Sequence, residues 1–168
     1  MEKWVIPTKF NKTGKRVLTI PLDYKVVYAP ANRRYKQAYY AIEAEFKRNK
    51  DKPLKAYIEK MSHFLASYVA SDSASKEDRY KITKFLAECR LRQSERWSQQ
   101  LGDIPGLSEV DQEAWQAYVD ADKKLCEERE EALYEARSKC NAMKKALQRE
   151  IDEYIHHECH PEDDKQNR

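Results

Sequence analysis

The longest pattern of apolar positions in the chain is a stripe that runs from Ala114 to Tyr154. Its members follow one another at steps of three and four residues that repeat every eleven residues, which corresponds to about 3.67 residues per turn. They are Ala114, Tyr118, Ala121, Leu125, Arg129, Ala132, Ala136, Cys140, Met143, Leu147, Ile151 and Tyr154. This spacing keeps the stripe on one side of a nearly straight helix. We therefore expect one helix of about fifty residues over 108–158, and not a left-handed coiled coil.

Three shorter segments with helical spacing precede the long helix. We predict them at 30–48, 51–70 and 75–101. Asp51 is placed to cap the second segment, and Ser75 with Asp78 forms a capping box at the start of the third. Ser108 with Asp111 has the same spacing, with the acid near the positive end of the helix dipole, and predicts the start of the long helix.

The N-terminal region has a different pattern, which predicts β structure. The runs Trp-Val-Ile at 4–6 and Val-Leu-Thr-Ile at 17–20 flank a polar segment containing Gly14, which can close a β-hairpin. The run at 24–28 predicts a third, short strand. The expected fold is therefore mainly α, of the α+β class, with an N-terminal β-hairpin, three medium helices and one long C-terminal helix.

This pattern divides the chain into three regions. The hairpin and the medium helices occupy 1–107, the long helix occupies 108–158, where we expect it to pack on the first region and to protrude partly, and 159–168 is an acidic tail that we expect to be disordered. Small Ala residues in the first half of the long helix allow the medium helices to approach it closely. The wider residues of its second half form an apolar surface that we expect to contact another protein or a second copy of the chain. They are Met143, Leu147, Ile151 and Tyr154.

The composition agrees with a helical protein of the cytoplasm. Charged residues make up 36% of the chain, hydrophobic residues 40%, and there are only three Gly. No run approaches the ~20 apolar residues of a membrane span, and the first residues do not begin a signal peptide, so no membrane partner is expected. The four Cys are widely spaced, unlike a disulfide framework, which indicates a reducing compartment.

The charge is unevenly distributed along the chain. Residues 1–60 carry a net charge of +9, residues 61–110 of 0, and residues 111–168 of −6. A basic head of this kind can bind nucleic acid or an acidic protein surface, unless the two ends neutralise each other within the fold or a dimer. On the outer face of the first helix a Tyr lies among cations, with Glu43 also among them, as in surfaces that stack bases and contact phosphates. The candidate contacts are Lys9, Lys12, Lys15, Arg16, Arg33, Lys36 and Tyr40.

Three residues near the end of the long helix are candidates for binding a metal ion. His156 and His160 are four residues apart, so a continuing helix places both imidazoles on one face, with Glu153 about one turn earlier. These residue types suit Zn²⁺, and a shared zinc could assemble an oligomer. The sequence lacks a second ligand pair at recognisable spacing, and the helix dipole alone also favours His at a helix C-terminus.

The sequence as a whole predicts a binding protein without catalytic activity and without a cofactor. It contains no glycine-rich phosphate loop, no nucleophile elbow and no His-Glu-x-x-His motif. We expect an interaction or regulatory protein that binds a partner macromolecule, such as an accessory protein or a phage-type inhibitor of a nucleic-acid-handling complex. In its most specific form, this hypothesis states that the acidic face of the long helix imitates nucleic acid. The alternatives are direct binding of DNA or RNA by the basic N-terminal region, and a helical oligomer assembled by zinc.

Overall fold

The computed structural model describes residues 8–10, 12–13, 16–18, 24–88 and 96–159, and it places the side chains of 12–13, 24–88 and 96–156. The helices in this part of the chain are α1 Tyr24–Val27, α2 Ala29–Asn49, α3 Lys52–Ala70, α4 Lys76–Glu88, α5 Trp97–Leu101 and α6 Leu107–Cys159. Two strands precede them, β1 Thr8–Phe10 and β2 Arg16–Leu18. The search of these residues for a helix with the length and apolar character of a membrane span found none.

The two strands form a short antiparallel ribbon. Their register pairs Thr8 with Leu18, Lys9 with Val17 and Phe10 with Arg16. The predicted α+β class is wrong, because this three-residue ladder does not make a β layer and every other described element is a helix. The predicted N-terminal hairpin is thus no defining part of the fold, and its first run, at 4–6, lies outside the described residues.

The predicted third strand is helical. Helical hydrogen bonds run from the Tyr28 N–H to the Tyr24 carbonyl and from the Asn32 N–H to the Tyr28 carbonyl, both at 2.9 Å, so α1 leads directly into α2. The helix is interrupted at Tyr28, two residues before Pro30, which has no N–H to continue the hydrogen-bond ladder. The helix is favoured over a strand here because it buries Val27 in the core of the chain.

The first two medium helices, α2 and α3, form as predicted, whereas the third differs from the prediction. The Ser75–Asp78 capping box is confirmed, because the Asp78 N–H donates to Ser75 Oγ at 3.0 Å and the Ser75 N–H donates to Asp78 Oδ2 at 3.3 Å. Asp51 precedes α3 as predicted, but its side chain makes no capping hydrogen bond. The single helix predicted over 75–101 is wrong, since Arg96 has extended backbone and α5 is a separate helix.

The chain contains two compact units. The middle unit comprises Glu45–Arg129, and the terminal unit comprises Met1–Ala44 together with Glu130–Arg168. Each unit has its own buried core, and α6 contributes residues to both. The core of the middle unit is formed by Leu54, Tyr57, Met61, Leu65, Ile82, Trp97, Leu101, Ile104, Leu107 and Ala114.

A buried carboxylate lies at the centre of the middle unit. Asp111 has no solvent exposure, and its Oδ1 accepts a hydrogen bond from the Tyr57 hydroxyl at 2.6 Å. Its Oδ2 accepts from the Ser98 N–H at 2.9 Å and from the Ser98 hydroxyl. Arg96 Nε lies 3.4 Å from the same oxygen as an ion pair. These partners compensate for the loss of hydration that a buried carboxylate suffers.

The predicted capping role of Asp111 is therefore wrong. Helix α6 begins at Leu107, so Asp111 is already in its second turn and faces the core. The Tyr57 hydroxyl, besides donating to Asp111, accepts the Trp97 N–H at 3.1 Å, so the network joins α3, α5 and α6. Burial and the hydrogen bond to Asp111 both raise the pKa of the Tyr57 hydroxyl.

The terminal unit has a smaller core, in which α1 and α2 pack on the distal part of α6. Val27, Leu147 and Ile151 are buried together. Ala31 has no solvent exposure, and the Cys140 thiol lies 3.6 Å from its carbonyl oxygen, which reflects the close approach that small residues allow.

The apolar stripe predicted on α6 agrees with the observed burial. All of its members except Ala121 are buried or half-buried. Arg129, the one charged member, places its guanidinium 5.0 Å from the centre of the Phe46 ring, so its cation lies against an aromatic face.

Removing the carboxylate of Asp111 should destabilise the protein strongly. We expect Asp111→Ala to lower the free energy of unfolding by about 3–5 kcal/mol, because it leaves buried donors on Tyr57 and Ser98 without an acceptor. Urea unfolding measures the change. Glu113→Ala is the control, since Glu113 makes an exposed ion pair with Lys60 that is worth about 0–1 kcal/mol. Equal losses for the two variants would contradict the structural role of Asp111.

The raised pKa of Tyr57 predicts a loss of stability at alkaline pH. The unfolded chain releases this proton near the ordinary value of about 10, whereas the folded protein retains it, so stability is full below that pH and falls as the pH rises above it. The urea midpoint should therefore decrease between about pH 9 and 11. Tyr57→Phe should have a smaller decrease than the wild type over this range. Parallel curves for the two proteins would be incompatible with the raised pKa.

Candidate nucleic-acid interface

The exposed face of α2 brings together three of the residues predicted as contacts. Arg33, Lys36 and Tyr40 are spaced by three and four residues, which places them on one side of the helix, and all three are exposed. The Lys36 Nζ lies 5.8 Å from the centre of the Tyr40 ring, and 59% of Tyr40 is exposed. A cation and an accessible aromatic ring are thus adjacent on this face.

Further tyrosines extend the aromatic surface of α2. The Tyr39 ring lies 5.8 Å from the Tyr40 ring in an edge-on arrangement, and 6.4 Å from the Tyr35 ring. Tyr39 is 38% exposed, although it lies four residues after Tyr35, which is half-buried. The aromatic surface therefore wraps from the flank of the helix to its outer face.

Two stretches of the terminal unit carry cations without any acid between them. One lies at 24–42 and contains Lys25, Arg33, Arg34 and Lys36. The other lies at 137–149 and contains Arg137, Lys139, Lys144, Lys145 and Arg149. The second stretch is hidden in the net charge of −6 over 111–168, because that sum averages this block with the acids on both sides of it. Counting charges turn by turn along the helix would have found it.

The packing of the terminal unit brings the second stretch beside Tyr28, which lies between α1 and α2. The Tyr28 hydroxyl donates to Gln148 Oε1 at 2.9 Å, and Lys144 Nζ lies 5.8 Å from the centre of the Tyr28 ring. Arg137 precedes Lys144 by seven residues, which is two helical turns, so both cations share one face of α6.

We use the term basic tyrosine surface for these exposed residues of α2 and the adjoining cation of α6. It consists of Arg33, Lys36, Tyr39, Tyr40 and Lys144. Its three cations attract anions, and its rings offer flat apolar area beside the cations.

The cations predicted on the hairpin are placed less completely. Lys9 lies on β1 opposite Val17, and Arg16 lies on β2 opposite Phe10. Lys12 is exposed in the turn between the strands. Lys15 lies outside the described residues. The candidate interface therefore comprises residues of α2 and α6 alone.

The surface predicted to contact a partner is largely covered within the chain. Leu147 and Ile151 are buried against Val27, and Met143 and Tyr154 are half-buried. These residues thus form part of the core of the terminal unit, and their expected contact with another protein or a second copy of the chain stays a prediction. The segment at 24–28 covers Leu147 and Ile151, because that segment forms a helix with its own apolar side.

The candidate metal ligands do not form a site in the described residues. Glu153 and His156 are exposed, and His160 lies outside the part of the chain that the structure describes. No group of three or more His, Cys, Asp or Glu side chains close enough to hold a metal ion occurs among the described residues. Of the two cysteines whose side chains are placed, Cys126 is exposed and Cys140 is buried.

Comparisons with known proteins do not decide the function. The chain matched no protein-family model, no curated protein and no solved structure. Its function is therefore inferred from the chemistry of the surface itself.

Replacing one isoleucine of α6 tests whether the distal stripe is core. Ile151→Ala should lower the free energy of unfolding by about 2–5 kcal/mol, because the buried side chain leaves a cavity beside Val27. Ile155→Ala is the matched control, since Ile155 is 39% exposed and belongs to the same helix. Thermal and urea unfolding measure both. If Ile155→Ala costs as much as Ile151→Ala, the described core of the terminal unit is not the one present in solution.

Proposed function

We propose that this protein is a non-catalytic binding protein that contacts nucleic acid through the basic tyrosine surface. The observation that carries the proposal is the pairing of two acid-free cationic stretches, 24–42 and 137–149, in one compact unit. Cations concentrated in this way neutralise phosphates and release the counterions condensed on nucleic acid, which supplies most of the affinity in sequence-independent binding.

The position of the cations supports contact with a phosphate backbone. Arg33 and Lys36 lie one turn apart on the outer face of α2, and Lys144 lies beside Tyr28, the residue that precedes α2. Arginine and lysine on helix faces are the usual donors to phosphate oxygens, which fix the position of a protein on a nucleic acid without reading its sequence. The proposal is therefore a contact to the backbone, with no base-specific code.

Imitation of nucleic acid by an acidic helix is less well supported. That hypothesis needs a continuous acidic face on the long helix, whereas 137–149 carries five cations and no acid. An acidic protein surface is the remaining alternative partner for the same cations. Inhibition of a nucleic-acid-handling complex is compatible with either partner and is a separate proposal about biological role, as is a location in the cytoplasm.

Salt dependence and charge removal test the proposal. The wild-type protein should bind labelled duplex or single-stranded DNA at roughly 50 mM salt and lose affinity steeply towards roughly 200 mM. The triple variant Arg33→Gln, Lys36→Gln, Lys144→Gln should bind more weakly. Its plot of log affinity against log salt should be shallower by about 0.7–0.9 for each phosphate that the variant no longer neutralises. Fluorescence anisotropy titrations at several salt concentrations measure both effects.

A control variant separates this surface from net charge. Lys84, Lys123 and Lys124 are exposed cations of the middle unit, and their replacement by Gln changes the net charge by the same amount. We expect the control variant to keep the wild-type affinity. Absence of binding at low salt, or equal weakening by the two triple variants, would refute the proposed interface.

A further inference from the structure

We infer that the basic tyrosine surface binds single strands in preference to duplexes and stacks an unpaired base on Tyr40. This inference rests on the proposed function and specifies the state of the strand that the surface binds. It depends on the exposure and neighbours of the tyrosine rings, whereas the proposed function depends on the cations.

The Tyr40 ring is accessible from solvent and supported on its flank. It is 59% exposed, and the ring of Tyr39 meets it at 70° between planes, so Tyr39 buttresses Tyr40 without stacking flat on it. Stacking on an aromatic ring is worth a substantial part of the affinity in single-strand binding, and it tolerates any base because every base has a flat face.

The cations are spaced to hold the backbone on one side of such a stacked base. Lys36 lies one helical turn before Tyr40, and Arg33 lies about two turns before it. The 5.8 Å between Lys36 Nζ and the Tyr40 ring brings charge and ring into one binding position. Cations that alternate with an aromatic ring can bind a flexible single strand, because its phosphates and its unpaired bases are accessible at the same time.

A duplex cannot use the ring in this way. Its bases are stacked inside the helix, and only their edges reach the grooves, so an aromatic side chain finds no free face without unpairing a base. A duplex would therefore contact only the cations. The same holds for an acidic protein, whose carboxylates would pair with Arg33 and Lys36 and leave the Tyr40 ring unused.

The test compares polyanionic probes that differ in whether unpaired bases are accessible. The probes are an oligothymidine of about 20 nucleotides, an abasic strand of the same length, a duplex of about 20 base pairs and polyglutamate, all at low salt. The variants are Tyr40→Leu, which removes the ring, and Tyr40→Phe, which keeps it. Tyr80→Leu is the matched control, since Tyr80 is 72% exposed in the middle unit.

The inference predicts a specific pattern of affinities. The wild type should bind oligothymidine more tightly than the abasic strand, the duplex or polyglutamate. Tyr40→Leu should reduce the affinity for oligothymidine about fivefold or more and leave the affinities for the abasic strand and the duplex unchanged. Tyr40→Phe and Tyr80→Leu should behave as the wild type. Circular dichroism melting curves verify that each variant is folded.

The outcomes distinguish failure of the inference from failure of the proposed function. Equal affinities for oligothymidine and the abasic strand, or no effect of Tyr40→Leu, would overturn base stacking on Tyr40. If binding in that case still requires Arg33, Lys36 and Lys144, the proposed function stands. Polyglutamate binding as tight as that of oligothymidine, or no nucleic-acid binding at all, would overturn both.

Discussion

The apolar stripe of α6 must be covered along a helix of 53 residues, and this requirement organises both units. A helix with one apolar side is stable in water mainly through the segments that pack on that side. Segments α3 to α5 do so in the middle unit, where Leu107 and Ala114 are buried, and α1 with the start of α2 does so in the terminal unit, where Leu147 and Ile151 are buried. The faces left over carry the charges that the proposed function uses.

The period of the apolar residues predicts the elements whose helical form depends on their own residues alone. It predicts α2, α3 and the stripe on α6, and the spacing of Ser75 and Asp78 predicts a capping box that forms as expected. The same period does not predict the structure where a contact between residues distant in sequence determines it. Val27 lies in a run with strand-like composition, yet the helix is favoured there because it buries Val27 on Ile151. Likewise, the spacing of Asp111 from Ser108 is typical of a helix cap. Helix α6 instead begins at Leu107, before Ser108, and its carboxylate at Asp111 faces the core.

The candidate interface was partly visible in the sequence for the same reason. Arg33, Lys36 and Tyr40 follow from helical spacing, because the side of α2 opposite its apolar residues has to face solvent. Lys144 does not follow from it, since the packing of Tyr28 on Gln148, 120 residues apart in the chain, brings Lys144 beside the residue that precedes α2. The metal hypothesis rested on spacing as well, and it stays a prediction, because His160 lies outside the described residues, which contain no group of three possible ligands.

The buried carboxylate of Asp111 also has a consequence for the order of folding. Its partners come from α3 through Tyr57 and from α5 through Ser98, so no two of these segments can satisfy it alone. An intermediate that buried Asp111 against only one of them would hold a charge with too few donors, which is expensive in an apolar core. The three segments should therefore dock in one cooperative step. Compact arrangements of the middle unit with the wrong register should be unstable.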